Sequence, residues 1–152
     1  MTSQMLPDDP TTATDGTAGW VAIDHVQLAI PVGAEDRARE FYVGVLGLVE
    51  VPKPPALAAR GGAWFEAGEV RIHVGAESSF VAARKAHPAL VRRDLRRFVV
   101  DRRLEVRWDE EIPGVVRCHV DDPFGNRIEL IDAGDDPGDD RGPSGRDADA
   151  GR

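Results

Sequence analysis

The chain has 152 residues, of which 41% are hydrophobic and 30% are charged, with a formal net charge of −8, values typical of one globular domain with a real core. No apolar run approaches the ~20 residues that span a membrane, which excludes an integral membrane protein of the helical kind. The lone cysteine, Cys118, excludes an internal disulfide framework and fits a reducing cytoplasm.

The two ends of the chain differ from the rest in composition. Residues 1–19 and 133–152 together hold nine acidic residues and three arginines, which accounts for −6 of the net charge and leaves −2 for residues 20–132. Without an excess of positive charge, the body is not expected to bind nucleic acid. Because Gly, Pro and Asp dominate both ends, we expect disordered tails at residues 1–19 and 134–152 around one domain at 20–133. The N-terminal end lacks the basic and apolar regions of a signal peptide, which indicates a cytoplasmic protein.

The first half of the domain is predicted to form one strand, one helix and three further strands. The strand VAIDHVQLAIP ends at Pro31. The helix AEDRAREFYVGVLG has acidic residues early, apolar residues at helical spacing, and Gly47 as a stop signal. The three short strands, punctuated by Pro and Gly, are LVEVP, GGAWFEAG and EVRIHVG.

The second half repeats this order after a linker, AESSFVAARK. A strand, AHPALVRRD, precedes a helix, LRRFVVDRRL, and three more strands follow, namely EVRWDEEI, GVVRCHVDD and NRIELID. The turns between them carry EIPG and DPFGN. The domain therefore reads as β-α-β-β-β written twice, although the two halves are not visibly alike in sequence.

In four of these strands, apolar side chains alternate with polar ones. Several of the polar residues are of types that can bind metal ions. Successive strand side chains point to opposite faces, so each strand has one apolar face and one polar face. The four strands are the first and last of each half, which indicates a shared site. The polar faces carry His25 and Gln27, then Arg71 and His73, then His87, and finally Arg127 and Glu129.

Three segments, HVQLAIP, AREFYVGVLGL and DPFGNRIELID, resemble the vicinal oxygen chelate superfamily. This superfamily includes glyoxalase I, extradiol dioxygenases, fosfomycin-resistance proteins and bleomycin-binding proteins, and the resemblance covers about residues 22–132. It implies an α+β fold with two βαβββ modules, at about 20–76 and 86–133, joined by a linker at 77–85. The two modules would form a curled, cup-like mixed sheet with the helices on its outer face. Members are usually homodimers, and their cups pair modules either within one chain or between chains.

The resemblance also implies a divalent metal ion inside the cup. The ligand positions fall on His25, His73, His87 and Glu129. Extradiol dioxygenases bind their metal through the three positions that match His25, His87 and Glu129. Glyoxalase I has a glutamate where this chain has His73, which argues against lactoylglutathione lyase activity.

These residue types define the chemistry that we expect. Two imidazoles and one carboxylate suit Fe or Mn, and a fourth imidazole would favour Zn, Ni or Co. Open positions would let a small substrate with two adjacent oxygens chelate the ion, which would stabilise an enolate or oxyanion. His73 is either the fourth ligand or a general base. We favour direct ligation, because a neutral imidazole beside the ion gains more from coordination than from remaining unpaired. Catalysis is assigned to Glu129 and His73.

Six further residues are candidates for substrate binding. Arg84 and Lys85 either hold a substrate carboxylate or phosphate or are solvated loop charges. Arg117 and His119 share one face of the penultimate strand, where His119 would line the pocket. Trp64 is either an apolar wall or part of the core, and Gln27 shares the face of His25.

Two functions follow from this set. The first is a metal-dependent enzyme of the lyase, isomerase or dioxygenase type that acts on a small molecule. The second is a metal-free protein that sequesters a small molecule, as bleomycin-binding relatives do. Ligand-type residues at all four positions favour the enzyme, because a sequestering protein has no need for them.

Overall fold

A computed structural model describes residues 19–134, so nearly all of both predicted tails lies outside the described residues. No helix in this span combines the length and the apolar character that crossing a membrane requires. The strands are β1 (Val26–Pro31), β2 (Val49–Val51), β3 (Ala63–Ala67), β4 (Val70–Glu77), β5 (Ala89–Arg92), β6 (Arg107–Asp109), β7 (Arg117–Asp121) and β8 (Arg127–Asp132). The helices are α1 (Glu35–Arg39), which continues into a π-helical turn (Glu40–Val45), α2 (Pro55–Ala58) and α3 (Leu95–Asp101).

The described strands form two mixed sheets of four strands each. The first sheet has the order β1-β4-β3-β2, and the second has the order β5-β8-β7-β6. In each sheet the first and last strands of the module pair in parallel, and the other pairs are antiparallel. The predicted α+β fold of two βαβββ modules is confirmed. The edge strands β1 and β5 are each paired on one side only.

The two modules share one hydrophobic core. It contains Ile72 of the first sheet, Ile128 of the second, and helix residues such as Tyr42 and Leu95, each with at most 1% of its surface exposed. The Tyr42 ring stacks on Phe65 with a centroid distance of 5.1 Å. Because each sheet gives alternate side chains to this core, its other face, which carries the histidines and Glu129, points away from the core.

The turn DPFGN fastens the second module to the first. Buried Asp122 accepts hydrogen bonds from the backbone N–H groups of Phe124 and Asn126 and from the Tyr42 hydroxyl, the last at 2.9 Å. Asn126 in turn donates from Nδ2 to the backbone carbonyl of Ala29 at 2.8 Å. These bonds reach from the turn before β8 to β1 and to the turn after α1, so the motif positions the strand that carries Glu129.

The observed strands are shorter than predicted, except for β4, which continues to Glu77, and two predicted ligands lie just outside the strands. His25 precedes β1, whose pairing with β4 begins at Val26. His87 precedes β5, because Pro88 has no N–H to donate and the β5–β8 pairing begins at Ala89. Helix α2, which has Pro55 at its first position, was not predicted.

Candidate functional site

The second sheet brings together two residues predicted as ligands and a third predicted to line the pocket. His119 on β7 pairs directly with Glu129 on β8, and Ala89, two residues after His87, pairs with Glu129 from the other side. His87, His119 and Glu129 each offer one ligand atom, and these atoms lie within 4.8 Å of one another. The predicted ligands His25 and His73 are not part of this group.

His87 is held so that one ring nitrogen faces Glu129. Its Nδ1 donates a hydrogen bond to the backbone carbonyl of Lys85 at 2.6 Å, and its Nε2 stands 3.2 Å from Oε2 of Glu129. A neutral ring that donates from Nδ1 has only a lone pair at Nε2, which gains nothing from an adjacent carboxylate oxygen. A proton on Nε2, or a cation shared by the two atoms, makes this arrangement favourable.

Glu129 is buried and ionised. Arg117 donates from Nη1 to Oε1 of Glu129 at 3.0 Å and from Nη2 to Asp109 at 2.7 Å. Burial acts to raise the pKa of Glu129, but hydrogen bonding by Arg117 and the approach of His87 outweigh it and hold the pKa below its usual value. The carboxylate is therefore charged at neutral pH, with Oε1 bound by Arg117 and Oε2 directed at His87.

His119 completes this set of donors. Its ring meets the ring of His87 edge to face, with the centroids 5.5 Å apart. Burial lowers the pKa of His119 by more than the nearby Glu129 carboxylate raises it. The ring is therefore neutral at pH 7, and a neutral imidazole is the form that binds a metal ion.

On the first sheet, His73 lies in the middle of a stack of three rings. Its ring centroid is 4.1 Å from that of His25, with the planes 20° apart, and 4.1 Å from that of Trp64, with the planes 3° apart. The lone pair of an imidazole nitrogen lies in the ring plane, so the lone pairs of His25 and His73 run side by side and do not converge. In this stack, only one of the two rings directs a nitrogen at a given ion.

His25 is oriented by a carboxylate. Its Nδ1 donates to Oδ2 of Asp24 at 2.8 Å, and Asp24 also accepts a hydrogen bond from Arg71 at 2.8 Å. In a neutral ring with this hydrogen bond, Nε2 of His25 carries a lone pair. A ring held through one nitrogen by a carboxylate is the usual state of a metal-binding histidine.

The predicted substrate-binding residues fall into separate places. Gln27 lies over Gly75, where a Cβ atom would come within 2.9 Å of Nε2 of Gln27. Lys85 contributes its carbonyl to His87, while Arg84 lines a cavity with Arg107 and Arg127. Trp64 belongs to the His73 stack, Arg117 contacts Glu129, and His119 joins the group of possible ligands.

Sequence reasoning missed several residues that the site depends on. Asp24 and Asp109 orient His25 and Arg117, and neither was singled out. His119 was expected to line the pocket, whereas its atoms lie among the possible ligands. A signal was present, since His119 and Glu129 are ten residues apart across a turn rich in Pro, Gly and Asn, which is compatible with direct pairing in a hairpin.

No family model and no curated protein matches the chain. A glyoxalase family protein of known structure from Bacillus anthracis is 45% identical, with a TM-score of 0.71, over 74% of this chain and 95% of that chain.

Two more distant structures share the fold. A lactoylglutathione lyase from Agrobacterium tumefaciens is 21% identical, with a TM-score of 0.57, over 76% of this chain and 96% of that chain. An antibiotic-binding protein, TnmS3, from Streptomyces is 20% identical, with a TM-score of 0.56, over 74% of this chain and 98% of that chain. At this identity the likeness concerns the fold alone, and the two neighbours represent an enzyme and a binding protein.

Proposed function

Because the chain belongs to the glyoxalase family of the vicinal oxygen chelate superfamily, we propose that it is an enzyme that uses a divalent metal ion to act on a small molecule with two adjacent oxygens. The observation that carries this proposal is the orientation of His87. With Nδ1 donated to the Lys85 carbonyl, its Nε2 faces Oε2 of Glu129 at 3.2 Å. Holding one imidazole nitrogen by a backbone carbonyl is how proteins direct the other nitrogen at a metal ion.

The candidate ligands of the second module fit a divalent ion. The donor set consists of two imidazole nitrogens, from His87 and His119, and one carboxylate oxygen of Glu129. These ligand atoms lie within 4.8 Å of one another, whereas two ligand atoms of one ion are about 3–4 Å apart. Small rotations of the side chains therefore suffice. This donor set suits Fe, Mn, Zn, Ni or Co, and it leaves positions open for substrate.

The ion would supply Lewis-acid chemistry at the substrate oxygens. The protein's part is to orient the ligands and to move protons. Arg117 keeps Glu129 charged and leaves Oε2 available. Burial, with help from the neighbouring His25, lowers the pKa of His73, so a ring nitrogen of His73 is free to accept a proton at neutral pH.

A second copy of the chain is proposed to complete the cup. The polar faces of the two sheets both point away from one shared core, and His25 and His73 are not members of the group of possible ligands around Glu129. The charged groups with the largest effects on the pKa of His73 lie in the first module, and those with the largest effects on the pKa of His119 lie in the second. In a homodimer, the first module of one copy would face the second module of the other, and His25 would reach the ion from the partner.

Metal removal tests the proposed function. Protein purified without a polyhistidine tag is expected to contain a divalent metal, and treatment with a chelator is expected to lower its melting temperature. The reason is that an ion that binds only the folded state stabilises it, by about 4 kcal/mol when its concentration is 1,000 times Kd. Elemental analysis and thermal unfolding measure both effects. A metal-free protein whose melting temperature is indifferent to added Mn, Zn, Ni and Co would contradict the proposal.

A metal-free binding protein is the second candidate function, and two observations favour it. Arg117 already pairs with Glu129 at 3.0 Å and balances its charge without a metal ion. The stacked His25, His73 and Trp64 rings also offer an aromatic surface for a flat ligand. The same chelator experiment separates the two functions, since a sequestering protein of this kind retains its stability when metal is removed.

The role of His73 has its own test. The ring stack favours a general base that supports His25 over direct ligation, and His73→Phe keeps an aromatic ring in the stack while removing both nitrogens. We expect His73→Phe to bind metal nearly as tightly as the wild type. Loss of an outer-shell partner lowers metal affinity by about 10–100-fold, and His25→Ala should lower it at least as much. Calorimetric titration with Mn²⁺ or Zn²⁺ compares them, and equal losses in both variants would show that His73 is a ligand.

A further inference from the structure

A cavity next to the proposed metal site is rich in arginine. It has a volume of about 380 Å³ and lies between the linker, the end of β7 and the start of β8. Three arginines and one aspartate supply its charged groups, giving a local excess of two positive charges in a chain whose net charge is −8. The lining comprises Ala82, Ala83, Arg84, Arg107, Asp121, Gly125 and Arg127.

Two of these arginines, Arg84 and Arg127, make no hydrogen bond or close ion pair within the described part of the chain, although Arg127 lies across from Asp121 and helps to lower the pKa of that carboxyl. Arg107 donates two hydrogen bonds to Asp121, at 2.9 and 2.8 Å, so its charge is balanced. Positive charges gathered at one cavity repel each other, and a bound anion relieves this repulsion. A guanidinium fork matches the oxygens of a phosphate or carboxylate.

The cavity adjoins the group around Glu129. Arg127 and Glu129 lie two residues apart on β8, so their side chains leave the same face of the strand about 7 Å apart. Arg107 on β6 pairs directly with His119 on β7. One extended small molecule can therefore place an anionic group among the arginines while its other end reaches the proposed ion.

We propose that this cavity is a subsite for a doubly charged oxyanion, and that the substrate is a small molecule with a phosphate or phosphonate group. The chemical class of the ligand follows from the charge of the cavity, since an excess of two positive charges matches a dianion. The volume leaves room for the phosphate and part of the carbon skeleton. The identification of the bound molecule as a substrate rests on the proposed function, but the anion site itself does not require the metal.

The test uses full-length protein treated with a chelator and titrated with inorganic phosphate at constant ionic strength, with acetate in a parallel titration. Calorimetry or thermal shift reports saturation. We expect phosphate to bind saturably and acetate at least about tenfold more weakly. Arg84→Gln and Arg127→Gln should each lower phosphate affinity by about tenfold or more, as expected for hydrogen bonds to a charged group. Arg84 lies on an exposed loop, so its variant keeps the test valid if Arg127→Gln unfolds.

Two further variants complete the experiment, one that should tighten phosphate binding and one that serves as a control. Asp121→Asn releases Arg107 from its ion pair and removes the one negative charge of the cavity, so phosphate should bind more tightly. Arg97→Gln is the matched control, because Arg97 is 81% exposed on α3 and, among residues 19–134, pairs only with Asp101. No saturable phosphate binding, an equal loss in Arg97→Gln, or acetate that binds as tightly as phosphate would each overturn the proposal. Phosphate binding that persists in a protein unable to bind metal would instead count against the proposed function alone.

Discussion

Replacing Glu129 with Gln is expected to lower the affinity for divalent metal by at least about 100-fold, beyond the about 10–100-fold range for loss of an outer-shell partner. Gln has nearly the same shape but carries no charge, and its amide can present a nitrogen where the ion needs an oxygen. The substitution also leaves Arg117, whose side chain is 16% exposed, with Asp109 as its remaining carboxylate partner. Calorimetric titration of the chelator-treated variant measures the loss.

Glu66→Gln is a matched control for this experiment. Glu66 lies on β3 of the other sheet, its side chain is 36% exposed, and its ion pair with Arg71 is long, at 3.8 Å. Its replacement should leave metal affinity unchanged. A Glu129→Gln variant that remains folded and binds metal as tightly as Glu66→Gln would remove Glu129 from the metal site.

Mixing two defective variants is expected to rebuild a tight metal site if cups are shared between copies. In a heterodimer of His25→Ala with Glu129→Gln, one cup combines the intact first module of the second variant with the intact second module of the first. The other cup carries both substitutions. Heterodimers isolated with two different tags, neither of them polyhistidine, should therefore bind metal at one tight site per dimer, although each parent variant binds weakly.

The pair His87→Ala and Glu129→Gln supplies the control. Both substitutions fall in the second module, so every cup of that heterodimer lacks one ligand, and no tight site should appear. Recovery in the first pair together with no recovery in the second is the signature of cups built from two chains. No recovery in either pair, from heterodimers that have demonstrably formed, would show that each cup belongs to one chain.

The modules and their polar faces were predictable because they depend on local patterns. Alternation in β4 separates Ile72 and Val74 from His73, and the structure buries the two aliphatic side chains in the core. Stop signals at Pro31 and Gly47 reflect backbone chemistry that acts within a few residues. Such short-range patterns can be recognised in a single sequence.

The arrangement of the site was harder to predict, since it depends on register between strands. Alternation indicates which residues share a face of one strand, but it does not say which residue of the next strand lies opposite. From the sequence, His119 was therefore predicted to line the pocket, although the turn between β7 and β8 places it directly across from Glu129. The stack of His73 between His25 and Trp64 likewise follows from the pairing of β4 with strands on both sides. The direction in which the two polar faces point depends on how the modules share a core, which no local pattern encodes.

Anomalous scattering from a crystal of the metal-loaded protein would locate the proposed ion. We expect one strong peak per chain beside Nε2 of His87 and Oε2 of Glu129, within bonding distance of His119 and of His25 from the neighbouring copy. Data collected on both sides of the absorption edge would identify the element. A fully loaded crystal with no peak between His87 and Glu129, or with its only peak at another place, would contradict the proposal that His87 and Glu129 hold a metal ion.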